Sequence, residues 1–284
     1  MSRIAYVDGR YVSHRRAGVH IEDRGYQFAD GVYEVLAVSS GHLVDEVRHL
    51  ARLTRSLAAL QIPTPMSDAA LGVVIRELIR RNGVTDGIVY LQVTRGTAPR
   101  EHAFPKSAKP VLVVTSRRRR SADPRLAEEG VAVITIPDIR WQRCDIKSVA
   151  LIANVLGKQR ARVAGAYEAW QFDREGFVTE GTSTNAWIVT AAGEVVTLAA
   201  DNTILNGITR LAICDMLRTE GCRLVERPFT VAETKAAREA FLTSTTTELL
   251  PVVRIDNDNV GNGAPGLLTR CLRALYLAHA AEVQ

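Results

Sequence analysis

Arg140-Trp141-Gln142-Arg143-Cys144-Asp145-Ile146-Lys147-Ser148 is the stretch on which the reading of this chain turns. Before it comes a β-branched run, Val131 to Ile136, that reads as a strand stopped by Pro137. After it comes an apolar run, Val149 to Leu156, that reads as the buried start of a helix. Lys147 is therefore expected at a junction between two core elements. A buried, unpaired ammonium is costly and tends to shed its proton, and a neutral amine is what a lysine nucleophile needs. Lysine is also scarce: Lys106, Lys109, Lys147, Lys158 and Lys235 are the five among 36 basic residues. Lys106 and Lys109 lie in a proline-flanked polar loop, and Lys158 and Lys235 fall on polar faces of expected helices. Only Lys147 runs into an apolar stretch. A lysine that snorkels to water from a helix start fits the same pattern, so both readings stand at this point.

The length of 284 residues suits one large or two ordinary domains. Hydrophobic content of 46% and charged content of 24% are ordinary for a globular protein. No apolar run has membrane-spanning length, and the start, Met1 to Gly9, reads as a strand entering a turn rather than a targeting peptide. A cytoplasmic protein without a membrane partner is expected. Cys144, Cys214, Cys222 and Cys271 lack metal-site and CxxC spacing, so reduced thiols and no metal are expected. A net charge of +5 suits small anionic substrates. The basic run Arg117 to Arg120 reads as a solvated connection. No interleaved aromatic and no nucleic-acid motif accompanies it, so no nucleic-acid partner is expected.

In order, Ile4 to Val12 reads as a hairpin about Asp8-Gly9, and Val32 to Val38 as a strand. Asp45 to Leu60 reads as a helix with Leu50, Leu53, Leu57 and Leu60 on one stripe and Arg52 beside it. A second helix runs from a Ser67 N-cap to about Asn82, with Gly83 as its stop. Gly87 to Arg95 and Pro110 to Ser116 are strands around a loop bracketed by prolines. Strands with two consecutive helices make an α+β arrangement. The boundary is placed at the arginine run, giving domains 1–118 and 119–284. Beyond it come a helix to about Ala164, a strand from Tyr167 to Phe172 and a hairpin about Gly193. Asn206-Gly207-Ile208-Thr209-Arg210 opens a helix ending at Gly221. Strands at 223–228, 240–244 and 249–255 follow, then a closing helix, 265–281.

Four further groupings could carry chemistry. Gly207-Ile208-Thr209 lies at a helix N-terminus, where free N–H groups and the dipole favour an anion. Thr243-Ser244-Thr245-Thr246-Thr247 is a hydroxyl-rich run at a strand end. With Arg52 they could form a phosphate cup; separately they are a helix start and a turn. Glu180, in the polar run Glu180 to Asn185, could pair with a protonated ring nitrogen or be a turn glutamate in water. Arg100 and His102, two apart in an extended loop, point to one side and could trap a carboxylate, or be solvated. A lysine amine, a phosphate cup and a carboxylate for a ring nitrogen together fit pyridoxal 5′-phosphate.

The stretches EDRGYQFADGVYEV (22–35), YLQVTRGTAPREHAFP (90–105), DIRWQRCDIKS (138–148), VTEGTSTNAW (178–187), ILNGITR (204–210) and TSTTTE (243–248) closely resemble the D-amino-acid aminotransferases. These belong to the class IV, or fold type IV, pyridoxal-phosphate enzymes. The matches are collinear and spread over nearly the whole chain. The resemblance implies two α/β-containing domains with the cofactor in the cleft between them, and a homodimer. It makes Lys147 the Schiff-base lysine, Glu180 the partner of the pyridine nitrogen, and Arg52, Ile208, Thr209, Thr245 and Ser244 the phosphate ligands. Ser183 would lie near the lysine, and Leu205 would pack on the cofactor ring. Tyr33, Arg100 and His102 match the carboxylate trap of the D-specific branch, the last two reaching the site from the partner subunit. The reaction implied is D-alanine and other D-amino acids with 2-oxoglutarate, giving 2-oxo acids and D-glutamate. Sister activities on the same fold are branched-chain or (R)-amine transamination, which should not need Arg100 and His102, and the aminodeoxychorismate lyase reaction. Ala29 departs from the glycine common in relatives, and Thr182 and Thr184 stand where some have serine.

Overall fold

A computed structural model describes residues 3–118 and 123–282. The chain divides into two compact units, and the segment Ile146–Ala150 is part of the first. The boundary expected at the arginine run falls on residues 119–122, outside the described residues. Of that run, Arg117 and Arg118 finish a strand instead of forming a connection.

The first unit contains β1 (Ile4–Val7), β2 (Arg10–Ser13), α1 (Arg24–Phe28), β3 (Gly31–Ser39), β4 (His42–Leu43), α2 (Glu46–Ala59), α3 (Asp68–Asn82), β5 (Gly87–Thr94) and β6 (Val111–Arg118). Its six strands form an antiparallel sheet in the order β2-β1-β6-β5-β3-β4. Asp8 and Gly9 make the expected first turn at positive φ. Alternation along β3 buries Val32, Glu34, Leu36 and Val38 and leaves Tyr33, Val35 and Ala37 half-covered. Leu50, Leu53 and Leu57 of α2 and Leu71, Ile75 and Leu78 of α3 close the buried face. Ser67 caps α3 through Ala70 N–H, and Gly83 ends it in the left-handed region, as the sequence indicates.

The second unit contains α4 (Arg125–Glu128), β7 (Val131–Pro137), α5 (Ile152–Val163), β8 (Glu168–Phe172), β9 (Val178–Gly181), β10 (Asn185–Val189), β11 (Val195–Thr197), α6 (Ile208–Thr219), β12 (Leu224–Glu226), α7 (Val231–Lys235), β13 (Glu239–Ser244), β14 (Glu248–Ile255), β15 (Asp258–Asn259) and α8 (Leu267–Glu282). The strands form one mixed sheet in the order β12-β11-β10-β13-β14-β7-β8-β9, with β15 on β14. It is buried on both faces. Trp170, Ile188, Leu242 and Val252 belong to one core cluster, and Trp187, Phe241, Ile213 and Leu272 to another. Such strands read as continuous apolar runs rather than as alternation.

Two further expectations need correction. The run Val149 to Leu156 is not a buried helix start. The helix begins at Ile152, and Ile152, Val155 and Leu156 are 72%, 57% and 51% exposed. They form an i, i+3, i+4 stripe, so helical periodicity is present but faces outward within this chain. Glu180 is not a turn residue in water: it lies on β9, a strand the sequence reading missed, and is 6% exposed. Among the described residues, no helix is long and apolar enough to cross a membrane.

Gly96 follows β5 at φ +98, and a Cβ there would come within 1.9 Å of the Lys109 carbonyl. Gly96→Ala should therefore push the two ends of the 97–109 loop apart. A loss of about 1–3 kcal/mol in denaturant unfolding is expected; unchanged stability would contradict this account.

Candidate active site

In the first unit Lys147 lies on a short segment laid along β3. Tyr33 N–H donates to the Lys147 carbonyl at 3.0 Å, Val149 N–H donates to the Gly31 carbonyl at 3.1 Å, and Ser148 bridges to Val32. The Lys147 amide adds a 3.4 Å contact to Ser56 Oγ on α2. The amine itself stands 4.3 Å from the centre of the Tyr33 ring. Among the described residues Nζ has no hydrogen bond or ion pair. The backbone is fixed and the amine is uncommitted, as a nucleophile requires.

Beneath this segment lies a buried ionic cluster. Glu34 takes a core position by strand alternation, and α2 presents His49 and Arg52, three residues apart, to it. Arg52 clasps Glu34 with Nε and Nη2 at 2.7 and 2.8 Å, while His49 Nδ1 lies 2.7 Å from the same carboxylate. Burial by itself would raise the Glu34 pKa, but the charge and hydrogen bonds of Arg52, with that of His49, bring it down to about 2. His49 is shifted below its usual value by burial, against the pull of Glu34, with Arg52 and Lys147 adding to the lowering. Glu34 and His49 escaped the sequence reading because a glutamate inside a strand and a histidine inside a helix carry no local signature.

Arg100 and His102 are both exposed on the loop after β5. The Arg100 guanidinium lies 4.7 Å from the Phe28 ring centre and the His102 ring 5.4 Å from it. The loop thus gathers both side chains at one aromatic residue.

In the second unit Glu180 is ringed by donors. Arg140 Nη1 makes a short ion pair with it, Asn185 Nδ2 donates at 3.0 Å, and Leu205 N–H lies 3.2 Å from both oxygens. Arg140 also forks onto Asp138, with Nη2 at 2.7 Å. Burial works against its charge, yet Glu180 and Asp138 hold the Arg140 pKa above the ordinary arginine value. Arg140 stood in the opening stretch, but its role depends on a strand 40 residues away. Leu205 contributes its backbone N–H to Glu180. Ser183 donates to Glu168 at 2.8 Å, a buried carboxylate also held by Thr182 and by Lys158 at 3.4 Å.

Ile208 and Thr209 form the first turn of α6, whose N-cap is Gly207. No side chain caps that end, so its leading amides are available to an anion. Thr209 Oγ1 lies 3.3 Å from Tyr276 Oη. Ser244 ends β13 and Thr245 follows it, and the Ser244 hydroxyl is shared with Thr247 at 2.7 Å. Arg52 belongs to the first unit and the other four anion-binding candidates to the second. Among the described residues no cluster of histidine, cysteine and carboxylates could hold a metal. The four cysteines are free, and burial pushes the Cys144 thiol up to about 11.

Comparison with known proteins gives a consistent result. The family model for amino-transferase class IV matches residues 31–255. A D-alanine aminotransferase of Bacillus licheniformis is 42% identical over 263 residues, covering 93% of this chain and 92% of that protein. One from Staphylococcus haemolyticus is 39% identical, with 94% of each covered. Among solved structures, the Escherichia coli branched-chain amino acid aminotransferase superimposes with a TM-score of 0.91 at 21% identity, covering 98% of this chain and 94% of that one. The PLP form of the Thermobaculum terrenum branched-chain enzyme gives 0.85 at 23%, covering 100% and 95%. At such identities the structural matches speak for the fold alone.

The Glu34 cluster makes a pH prediction. A carboxyl lowered from 4.5 to about 2 contributes stability that is complete above pH 4.5 and lost as pH falls toward 2. A histidine lowered from 6.5 takes its proton more readily when unfolded, so it adds a loss that begins as pH falls through 6.5. The melting temperature should fall in two stages on acidification, and Glu34→Gln should flatten the lower one. Glu34→Ala, which strips the carboxylate from a buried guanidinium, should cost about 3 kcal/mol at pH 7.

Proposed function

The chain belongs to the class IV aminotransferase family, and from that premise we propose that it is a D-amino-acid transaminase using pyridoxal 5′-phosphate. It moves the amino group of D-alanine and related D-amino acids to 2-oxoglutarate, giving 2-oxo acids and D-glutamate. The observation that carries the specificity is the Arg100–His102 pair gathered at Phe28. An arginine fork and an imidazole side by side suit a carboxylate, which simple amines lack. The sequence relatives named D-alanine aminotransferase favour the same reading.

The donor set fits the cofactor. An uncommitted amine at Lys147, an uncapped helix start at Ile208 and Thr209, and a buried carboxylate at Glu180 match its aldehyde, its phosphate and its ring nitrogen. Arg52, Ser244 and Thr245 would join the phosphate, Leu205 would lie on the ring, and Ser183 beside the lysine. Bound there, the cofactor supplies a carbonyl that condenses with amines and a ring that accepts the electron pair left when Cα loses its proton.

The protein's own residues do the rest. Lys147 Nζ would hold the cofactor's aldehyde carbon, and as a free amine it would take the proton from the donor's Cα and deliver it to the carbon that receives the amino group. Glu180, backed by Arg140 and Asn185, would keep a proton on the ring nitrogen. Tyr33, with the Arg100 and His102 that a second copy would bring to the site, would anchor the α-carboxylate and so decide which hand of amino acid presents its Cα hydrogen to Lys147. We place the enzyme in the cytoplasm as a homodimer. The outward stripe Ile152, Val155 and Leu156 on α5 supports a second copy, because an apolar helix face of that kind is normally covered.

A near-visible absorbance band that falls on adding D-alanine but not L-alanine is expected, and Lys147→Ala should lose both the band and turnover. A band discharged by L-leucine or an (R)-amine instead would move the protein to a sister activity, and no band at all would remove the cofactor assignment. Arg100→Leu should raise the KM for D-alanine roughly tenfold or more while leaving the band intact.

A further inference from the structure

Between Pro99 and Pro105, among the described residues, the loop bearing Arg100 and His102 makes no backbone–backbone hydrogen bond. What reaches it is a buried side chain. Arg24, 3% exposed, donates Nη1 to the Glu101 carbonyl at 2.5 Å and Nη2 to the His102 carbonyl at 3.3 Å. Its third donor, Nε, pairs with Asp30 at 2.8 Å, and its own amide donates to the Gly96 carbonyl at 2.9 Å. Asp30 is clasped in turn by Arg95, at 2.7 and 3.0 Å. Arg95 donates onward to the carbonyls of Leu60 and Gln61, at 2.7 and 2.9 Å, just past the end of α2. A continuous line of charge-assisted bonds therefore runs from the end of α2 to the two peptide groups that carry the trap.

Phe28 completes the arrangement. Its ring is faced by Arg24 at 4.9 Å, by Arg100 at 4.7 Å and by the His102 ring at 5.4 Å. Cation–π and ring contacts of this kind hold flexible side chains to one direction. Burying a guanidinium carries a desolvation cost, and an exposed loop needs no such support merely to be a loop. The expenditure has a point if Arg100 and His102 must be held in one orientation.

We propose that Arg24 and Phe28 are positioning residues for substrate-carboxylate recognition, Arg24 fixing the backbone under Arg100 and His102 and Phe28 fixing their side chains. The inference rests on the transaminase reading and adds to it two residues that act through Arg100 and His102.

The test is steady-state kinetics of the holoenzyme with D-alanine and 2-oxoglutarate, alongside melting temperature and the near-visible cofactor band. Arg24→Met should raise the KM for D-alanine roughly tenfold, with kcat within about twofold of the parent and the band unchanged. Arg24→Lys should recover only part of this, because one ammonium cannot serve Asp30 and two carbonyls together. Combined with Arg100→Leu, Arg24→Met should add far less than its separate effect on kcat/KM, because it acts through the residue already removed. Phe28→Leu should raise KM about threefold without lowering the melting temperature. If Arg100→Leu raises KM while Arg24→Met and Phe28→Leu leave it alone, the trap stands and the positioning proposal is overturned. If Arg100→Leu itself changes nothing, the transaminase reading of the trap fails and takes this inference with it. Should Arg24→Met not fold, Phe28→Leu decides: a raised KM supports the proposal and an unchanged one overturns it.

Discussion

The arrangement of the candidate site depends on one piece of backbone pairing, the hydrogen bonds that join Lys147 and Val149 to Tyr33 and Gly31. The pairing exists because β3 has a free edge there. β4 is two residues long and covers only the Val38–Ser39 end of β3. The amide and carbonyl groups at the Gly31–Tyr33 end would otherwise lack sheet partners. The segment 146–150 fills that gap, Ile146 anchors it in the apolar cluster of the first unit, and the lysine between is left with a fixed main chain and an uncommitted amine. The same peptide group sets Tyr33 beside the amine, so amine and neighbouring phenol are positioned by a single hydrogen bond.

Within each unit, arginine is the main partner of the covered carboxylates. Carboxylates at 30, 34 and 180, the first half-buried and the others buried, are each met by arginine, through forks from Arg95 and Arg52 and a single nitrogen from Arg140. Planar forks lock a carboxylate in orientation, which a rotating ammonium does not. Buried ion pairs add little net stability once desolvation is counted, so their concentration here is an argument about geometry. Lys158 reaches the buried Glu168 at 3.4 Å, but these three carboxylates are held by arginine, and Lys147 on the β3 edge keeps its amine uncommitted.

Regular elements were legible wherever local chemistry sets them. The Asp8-Gly9 turn, the Ser67 cap, the Gly83 and Gly221 stops and the stripe of α2 each involve residues within a turn or two of one another. β9 was not legible, because its four residues lead into a polar run and owe their burial to residues distant in the chain, as Arg140 and Leu205 show at Glu180. The α5 stripe had the right period, yet its direction depends on what surrounds the helix. Ala29, where relatives often have glycine, lies at φ 56, in the left-handed region that glycine occupies without strain.

By itself the sequence determined the class of element along most of the chain, the α+β character, and through its motifs the candidate residues Lys147, Glu180, Arg52, Arg100 and His102. Tertiary structure alone decided what each of them touches. Glu34 meets Arg52 and His49, Arg140 meets Glu180 from 40 residues away, and Arg24 reaches a loop 77 residues on. The physical reason is range. Capping, turn and periodicity rules act over a few residues and leave a mark in composition. A buried ion pair forms between residues far apart in the chain, and only the folded backbone brings its partners within hydrogen-bonding distance.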